Sequence, residues 1–136
     1  VEINIKKIKK ARNSSMSDVI VIDGIEYVRK DSLNQKAEEF EGMKYCIVRT
    51  YSAGVFAGYV ESRNGKEVSI RKVRRIWYWD GANSLSQLAV DGTLKPEKCK
   101  FACEVDRIEV TEAIEIIECT AKAKASIEGV EEWRMK

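Results

Sequence analysis

The run EVSIRKVRRIWYW, residues 67–79, constrains the fold more than any other stretch of this chain. Valine, isoleucine, arginine and aromatic residues alternate along it, the pattern of a long β-strand with two working faces. Alternation sends Val73, Arg75, Trp77 and Trp79 to one face and Arg74, Ile76 and Tyr78 to the other. Each face carries an arginine and an aromatic, and three large aromatics in a row cannot all enter one core. A strand of this length needs neighbours, and the preceding sequence supplies them. KYCIVRTYS (44–52) reads as a first strand and 55–62 as a second, with Arg63-Asn64-Gly65 turning into the long third one. Gly54 marks a turn and Gly58 a close backbone approach, since glycine leaves a strand position without side-chain packing. Together these segments describe an antiparallel meander.

Beyond the long strand, Asp80-Gly81-Ala82 breaks the pattern, Asn83 or Ser84 caps a short helix through about Val90, and Gly92 closes it. Residues 103–110, CEVDRIEV, alternate again and suggest a returning strand. Residues 111–118, TEAIEIIE, suit a strand or one helical turn, and we read them as strand. Thr120 caps a last helix, AKAKASIE, ended by Gly129. Towards the N terminus, VIVI and IEYV flank Asp23-Gly24, a dipeptide suited to the two positive φ values of a type I′ hairpin turn. Ser32 with Gln35 fits a capping box and predicts a polar helix over about 33–41, with Leu33, Ala37 and Phe40 on one stripe and Gly42 as its stop. The expected fold is α+β. It is an antiparallel β-meander with a short helix after the long strand and a C-terminal helix, plus an N-terminal hairpin-helix extension. The extension spans 1–42 and the core domain 43–136.

A chain of 136 residues with 44% hydrophobic composition and a single proline is a folded, domain-sized unit. Its net charge of +2 does not mark the whole molecule as a polyanion binder. The charge is blocky, however. Lys6, Lys7, Lys9, Lys10 and Arg12 crowd the N terminus, RKVRR spans 71–75, and 104–119 is acidic. The four cysteines, without a signal peptide or long apolar run, predict reduced thiols in a cytoplasm. Cys99 and Cys103 lack the common zinc-knuckle spacing and have no histidine to complete a site, so we expect structural thiols and no metal. The complete lack of histidine removes the usual general base near neutral pH. The chain therefore reads as a binder before it reads as an enzyme.

What it binds is suggested by RRIWYWDGANSLSQL, residues 74–88. Flat aromatic faces stack on nucleobases, and guanidinium forks pair phosphate oxygens. Free backbone N–H groups at a helix start near Ser84–Ser86 favour an anion. Asn83 and Gln87 add donor–acceptor pairs for a base edge or ribose hydroxyls. Arg49 and Tyr51 on the first strand supply a second wall. These residues describe a pocket for a compact phosphorylated nucleotide. The plain alternative makes one face core and the other an ordinary surface with arginine laid over aromatics, and such residues also suit a protein interface.

Three segments, 44–68, RRIWYWDGANSLSQLAVDGT (74–93) and VTEAIEIIECT (110–120), resemble phage anti-defence proteins that counter Thoeris immunity. The resemblance covers about residues 43–136. It implies a sponge that binds a glycocyclic ADP-ribose signal and holds it without cleavage in the cytoplasm of the infected bacterial host, so the downstream effector stays off. It further implies a homodimer-based assembly with ligand pockets between protomers, hexamers among its forms, and for some members a separate site for cyclic oligonucleotide signals. No membrane partner and no cofactor is expected. Chemistry assigns the parts: Trp77 or Trp79 for the adenine, Arg74, Arg75 or Arg49 for the phosphates, Asn83 and Gln87 for the riboses. Two other readings compete with the sponge. One is a nucleic-acid-binding phage accessory protein that uses Lys6–Arg12 and the RKVRR run as a phosphate track. The other is an enzyme in which Asp80, Glu104 or Asp106 activates water.

Overall fold

A computed structural model describes the backbone of three short strands near the N terminus and residues 35–135. The chain divides into two compact units, Val1–Gln35 and Lys36–Lys136. In the first, β1 (Ile5–Lys7), β2 (Val19–Ile22) and β3 (Ile25–Arg29) form an antiparallel sheet in the order β1-β3-β2. Ile22 pairs with Ile25, so the VIVI–IEYV hairpin is present. Its Asp23-Gly24 turn, the Ser32 cap and Leu33 lie outside the described residues. The strand β1 falls in the block that the sequence marked only as basic.

The second unit begins with a correction. Residues 35–41 of the expected polar helix are not helical. Instead Lys36 bridges Thr120, and the Ala37 N–H donates to the Cys119 carbonyl at 3.0 Å. Phe40 and Met43 then exchange both backbone hydrogen bonds around Glu41 (φ 51°) and Gly42 (φ 81°). Two positive φ values between a bonded pair make a type I′ turn, so Gly42 serves a hairpin and not a helix end. A helix this short is marginal without a packing face. Pairing along the 119–120 segment satisfies the same backbone groups.

The main sheet comprises β4 (Lys44–Thr50), β5 (Val55–Asn64), β6 (Glu67–Tyr78), β7 (Lys100–Phe101), β8 (Val105–Val110) and β9 (Ala113–Glu118). All pairings are antiparallel, in the order β7-β6-β5-β4-β9, with β8 also paired to β6. The strand β7 takes the Ile76 end of β6, and β8 takes the stretch from Val68 to Val73. Helices α1 (Leu85–Asp91) and α2 (Ala121–Glu128) follow β6 and β9, and a 3₁₀ turn, Pro96–Lys98, precedes β7. The α+β meander with a helix after the long strand and a C-terminal helix is therefore present.

The strands β8 and β9 lie at opposite edges of the sheet, yet only Thr111 and Glu112 join them. A sheet can meet that constraint only by curling. Its means are register shifts at Arg49/Thr50, Ala57/Tyr59 and Val60/Ser62, together with Lys72 at φ 48° in the long strand. Gly58 sits where the bulged part of β6 presses on β5. A Cβ there would lie 2.8 Å from Ile70 Cγ2 and 2.9 Å from the Arg71 carbonyl oxygen. The Ala113 N–H donates to the Lys66 carbonyl at 3.0 Å, tying the start of β9 to the start of β6.

Curling divides the core in two. On the concave face Val48, Phe56, Val68, Ile70, Val73 and Val110 bury one another, drawing on four strands. On the convex face Tyr45, Ile47, Ala57, Ile76 and Phe101 pack against Leu88 and Ala89 of α1 and Ala123 and Ile127 of α2. Each fully buried large aliphatic side chain contributes about 1.5–3 kcal/mol. The caps read from the sequence hold these helices. Ser84 Oγ accepts from the Gln87 N–H, and Gly92 (φ 77°) returns its N–H to the Leu88 carbonyl. Thr120 Oγ1 accepts from the Ala123 N–H and donates to the Val90 carbonyl at 2.6 Å, locking the two helices together. Among the described residues no helix is long and apolar enough to cross a membrane.

Candidate functional site

The strand β6 separates its arginines more sharply than alternation alone suggests. Arg74 lies on the convex side at 5% exposure. Its Nε donates to the Ala102 carbonyl at 2.8 Å, and Nη1 donates to Ile127 and Val130 at 2.9 and 2.8 Å. Nη2 donates to Phe101 at 3.1 Å. Burial lowers its pKa, with Tyr45, Glu132 and Glu104 opposing that shift. Arg74 is thus a clamp that fastens the end of α2 and the 130–132 segment to β7, not a free phosphate fork. The 190 Å³ cleft it borders is rimmed by Glu104, Glu128 and Glu132, which disfavours a phosphate there.

Arg75 takes the opposite face and stays exposed, its guanidinium carbon 4.9 Å from the Phe56 ring centroid. The pairing of Phe56 with Arg75 across β5 and β6 sets that contact. Ion pairs among the described residues engage Arg49, Arg71, Arg107 and Arg134, and Arg75 is in none of them. It therefore presents an unspent cation beside an aromatic.

The three consecutive aromatics diverge in the same way. Trp79 lies beyond the end of β6, half-buried against the convex core, with its indole N–H donating to the Ala82 carbonyl at 3.3 Å. Tyr78 is 48% and Trp77 61% exposed. Trp77 packs on Trp133, with ring centroids 5.1 Å apart and planes tilted by 35°. Lys100 Nζ lies 5.4 Å from both ring centroids. The geometry follows from pairing: Lys100 sits opposite Tyr78, and Trp133 donates its N–H to the Phe101 carbonyl at 2.9 Å. Trp133 and Lys100 were not among the residues that the sequence pointed to, because they reach the site from other segments.

The helix start is spent on itself. The Asn83 N–H donates to Gln87 Oε1 at 2.7 Å, Ser84 Oγ donates to Asn83 Oδ1 at 2.8 Å, and Ser84 caps Gln87. Ser86 is exposed on the first turn. Asn83, Ser84 and Gln87 thus form a closed capping network, and the helix has only seven residues. On β4, Arg49 pairs with Glu115 at 3.0 Å, and Tyr51 is 77% exposed just past the strand end. The register Arg49–Val55–Ile76 puts Arg49 two strands, roughly 10 Å, from β6. The structure therefore brings Trp77 together with Lys100 and Trp133, with Arg75 two residues before Trp77 on the strand and Tyr78 exposed just after it. It assigns Arg74, Trp79, Asn83, Ser84 and Gln87 mainly to holding the fold.

The thiols also serve the fold. Cys46, Cys99 and Cys119 are buried and unpaired, and Cys103 is half-buried. The Cys99 thiol donates to the Asp80 carbonyl and accepts from the Asp80 N–H, both at 3.5 Å, so it steadies the loop that leaves β6.

The model of the family described as Domain of unknown function (DUF6948) matches residues 43–127. The chain belongs to that family, and the matched span runs from the start of β4 to near the end of α2. No curated protein and no solved structure matches the chain.

Proposed function

We propose that the protein is a sponge for a glycocyclic ADP-ribose signal, binding the nucleotide without cleaving it and so keeping a Thoeris effector inactive. The observation that carries this reading is the exposed Trp77–Trp133 pair with Lys100 against both rings. Stacking on such a surface contributes roughly 1–3 kcal/mol per base, and Lys100 and Arg75 add cations for the two phosphates. A base sandwiched between two rings needs their planes roughly 7 Å apart, twice a carbon contact distance. At 5.1 Å between centroids the tryptophans leave no such gap, so the adenine stacks on an outer ring face. The platform is open on that side. A second protomer, in a homodimer or larger homo-oligomer, closes it, which gives the slow release a sponge requires.

The test is direct. The protein is incubated with the cyclic nucleotide, freed of unbound ligand, denatured, and the released material is chromatographed. Intact ligand supports sequestration. Linear ADP-ribose or adenine in the released fraction would overturn it in favour of an enzyme, and an empty fraction would overturn nucleotide binding altogether.

A further inference from the structure

The concave face of the sheet is open at one end. There Arg63, Lys66, Ala113, Ile114 and Ile116 line a groove of about 560 Å³, within the size range of small-molecule sites. Cross-strand partners share a face, so their placement follows from register. Arg63 pairs with Val68, and Ile116 pairs with Val48. Both Val68 and Val48 belong to the concave cluster. Arg63 and Ile116 therefore project over the same concavity, Ile114 lines the groove from the position skipped by the register shift at Arg49/Thr50, and the Ala113–Lys66 hydrogen bond fixes the distance between the walls.

Two features make this groove a site and not a leftover. Its apolar wall stays wet, with Ile114 at 48% and Ile116 at 36% exposure. Its cations are unspent. Of the described arginines, Arg49, Arg71, Arg107 and Arg134 pair with carboxylates and Arg74 with carbonyls. Arg63 instead donates Nε to the Gly65 carbonyl of its own turn at 2.9 Å. That bond orients the guanidinium and leaves its Nη atoms for a ligand. Among the described residues Lys66 also makes no ion pair, and it sits in the Gly65–Lys66 turn, lining the groove with Arg63. Glu115 also lines the groove, and its carboxylate is paired with Arg49 at 3.0 Å.

We propose that this groove is a second binding site, for a small organic phosphate whose aromatic or apolar body lies on Ile114 and Ile116 while Arg63 and Lys66 hold the phosphate. It is distinct from the Trp77 platform, with which it shares no residue.

Phenyl phosphate is a suitable probe, titrated against ¹⁵N-labelled protein and compared with inorganic phosphate and with benzyl alcohol. We expect saturable amide shifts at Gly65, Lys66 and Ala113–Ile116, at least several-fold tighter for phenyl phosphate than for either fragment. The double variant Arg63→Gln/Lys66→Gln retains a native spectrum and binds roughly tenfold more weakly or worse, as expected for loss of charge-assisted hydrogen bonds. Trp77→Ala leaves these shifts unchanged. The proposal is overturned if inorganic phosphate binds as well as phenyl phosphate, if no shift saturates, or if the double variant binds as the parent does.

Discussion

Arg74 and Arg75 are consecutive in the chain, lie on opposite faces of one strand, and have opposite surroundings. On the helix-covered convex face all three guanidinium nitrogens of Arg74 donate to carbonyls. On the concave face Arg75 rests on a ring and Arg63 on its own turn, without carboxylate partners among the described residues. The difference teaches where binding capacity resides. Layers that bury polar groups must satisfy them internally, because an unmet buried donor costs about 1–3 kcal/mol. Such groups are then unavailable to ligands. The uncovered face, and the margin where Trp133 lies along β7, carry the groups left over.

The largest effect should come from breaking the clamp. Arg74→Met removes four hydrogen bonds and strands the carbonyls of Ala102 and Val130 in the convex layer, while Phe101 and Ile127 keep the N–H groups of Trp133 and Val130. A loss of about 3–5 kcal/mol is expected, a large share of a small domain's stability. Arg75→Met should cost less than about 1 kcal/mol. Urea denaturation of both variants reads the contrast directly. If Arg74→Met keeps parental stability but loses nucleotide, the roles drawn for the two arginines are reversed.

Next comes the curl that makes one face concave. Gly58→Ala drives a methyl against Ile70 and the Arg71 carbonyl of β6, and overpacking of this kind costs about 1–3 kcal/mol. Amide exchange should quicken first along β5 and β6. Unchanged exchange there would mean that the bulge at Lys72 can give way without cost.

These contrasts also show what was legible in the sequence. Ser84, Gly92 and Thr120 were readable because caps are local: the residue and its bonded partner lie within one or two turns. The alternating strands were readable because burial on each face writes a period of two. The segment 35–41 misled because its capping-box spacing competes with tertiary pairing to Thr120 and Cys119, which no local pattern records. Lys72 at positive φ, a non-glycine bulge, leaves no signature either, and it shifts the face to which each residue before it belongs. Arg74 and Arg75 were rightly separated onto two faces, but no local pattern records that the carbonyls of Phe101, Ala102, Ile127 and Val130 close over Arg74 alone. Trp79 was grouped with Trp77, although the strand ends at Tyr78. Trp133 and Lys100 meet Trp77 only through the pairing of β7 with β6, information that resides in the fold.

The platform at the β7 edge gives a smaller stability effect and a distinct binding one. Trp77 is 61% exposed, so Trp77→Ala should change stability by no more than about 1 kcal/mol. It should weaken nucleotide binding roughly tenfold or more, in line with the stacking energy of one base. Calorimetric titration alongside thermal melting separates the two. A variant that unfolds would place Trp77 in the structural layer with Arg74, and a variant that binds normally would move the site elsewhere.

The smallest effect is a titration that samples both faces at once. Cys46 and Cys119 are both buried, the first on the concave side by its place between Tyr45 and Ile47, the second within the convex cluster. Burial pushes the Cys46 thiol up to about 11, with Glu118 adding to it, and the Cys119 thiol up to about 12, with Cys46 adding to it. An unfolded cysteine ionises near pH 8.5. A folded-state pKa above the unfolded one stabilises the fold fully below about pH 8.5, and that contribution is lost as pH rises towards 11–12. Denaturation midpoints should thus hold steady from about pH 7 to 8 and decline above about pH 9. A Cys46→Ala/Cys119→Ala variant, though less stable throughout, should decline less steeply. Iodoacetamide at about pH 8 should modify the half-buried Cys103 well before either buried thiol, since reaction needs an accessible thiolate. Equal slopes for the two proteins would remove the thiols from the account. Faster labelling of Cys46 than of Cys119 would agree with the larger shift under the helices, whereas the reverse order would mean that the convex layer opens first.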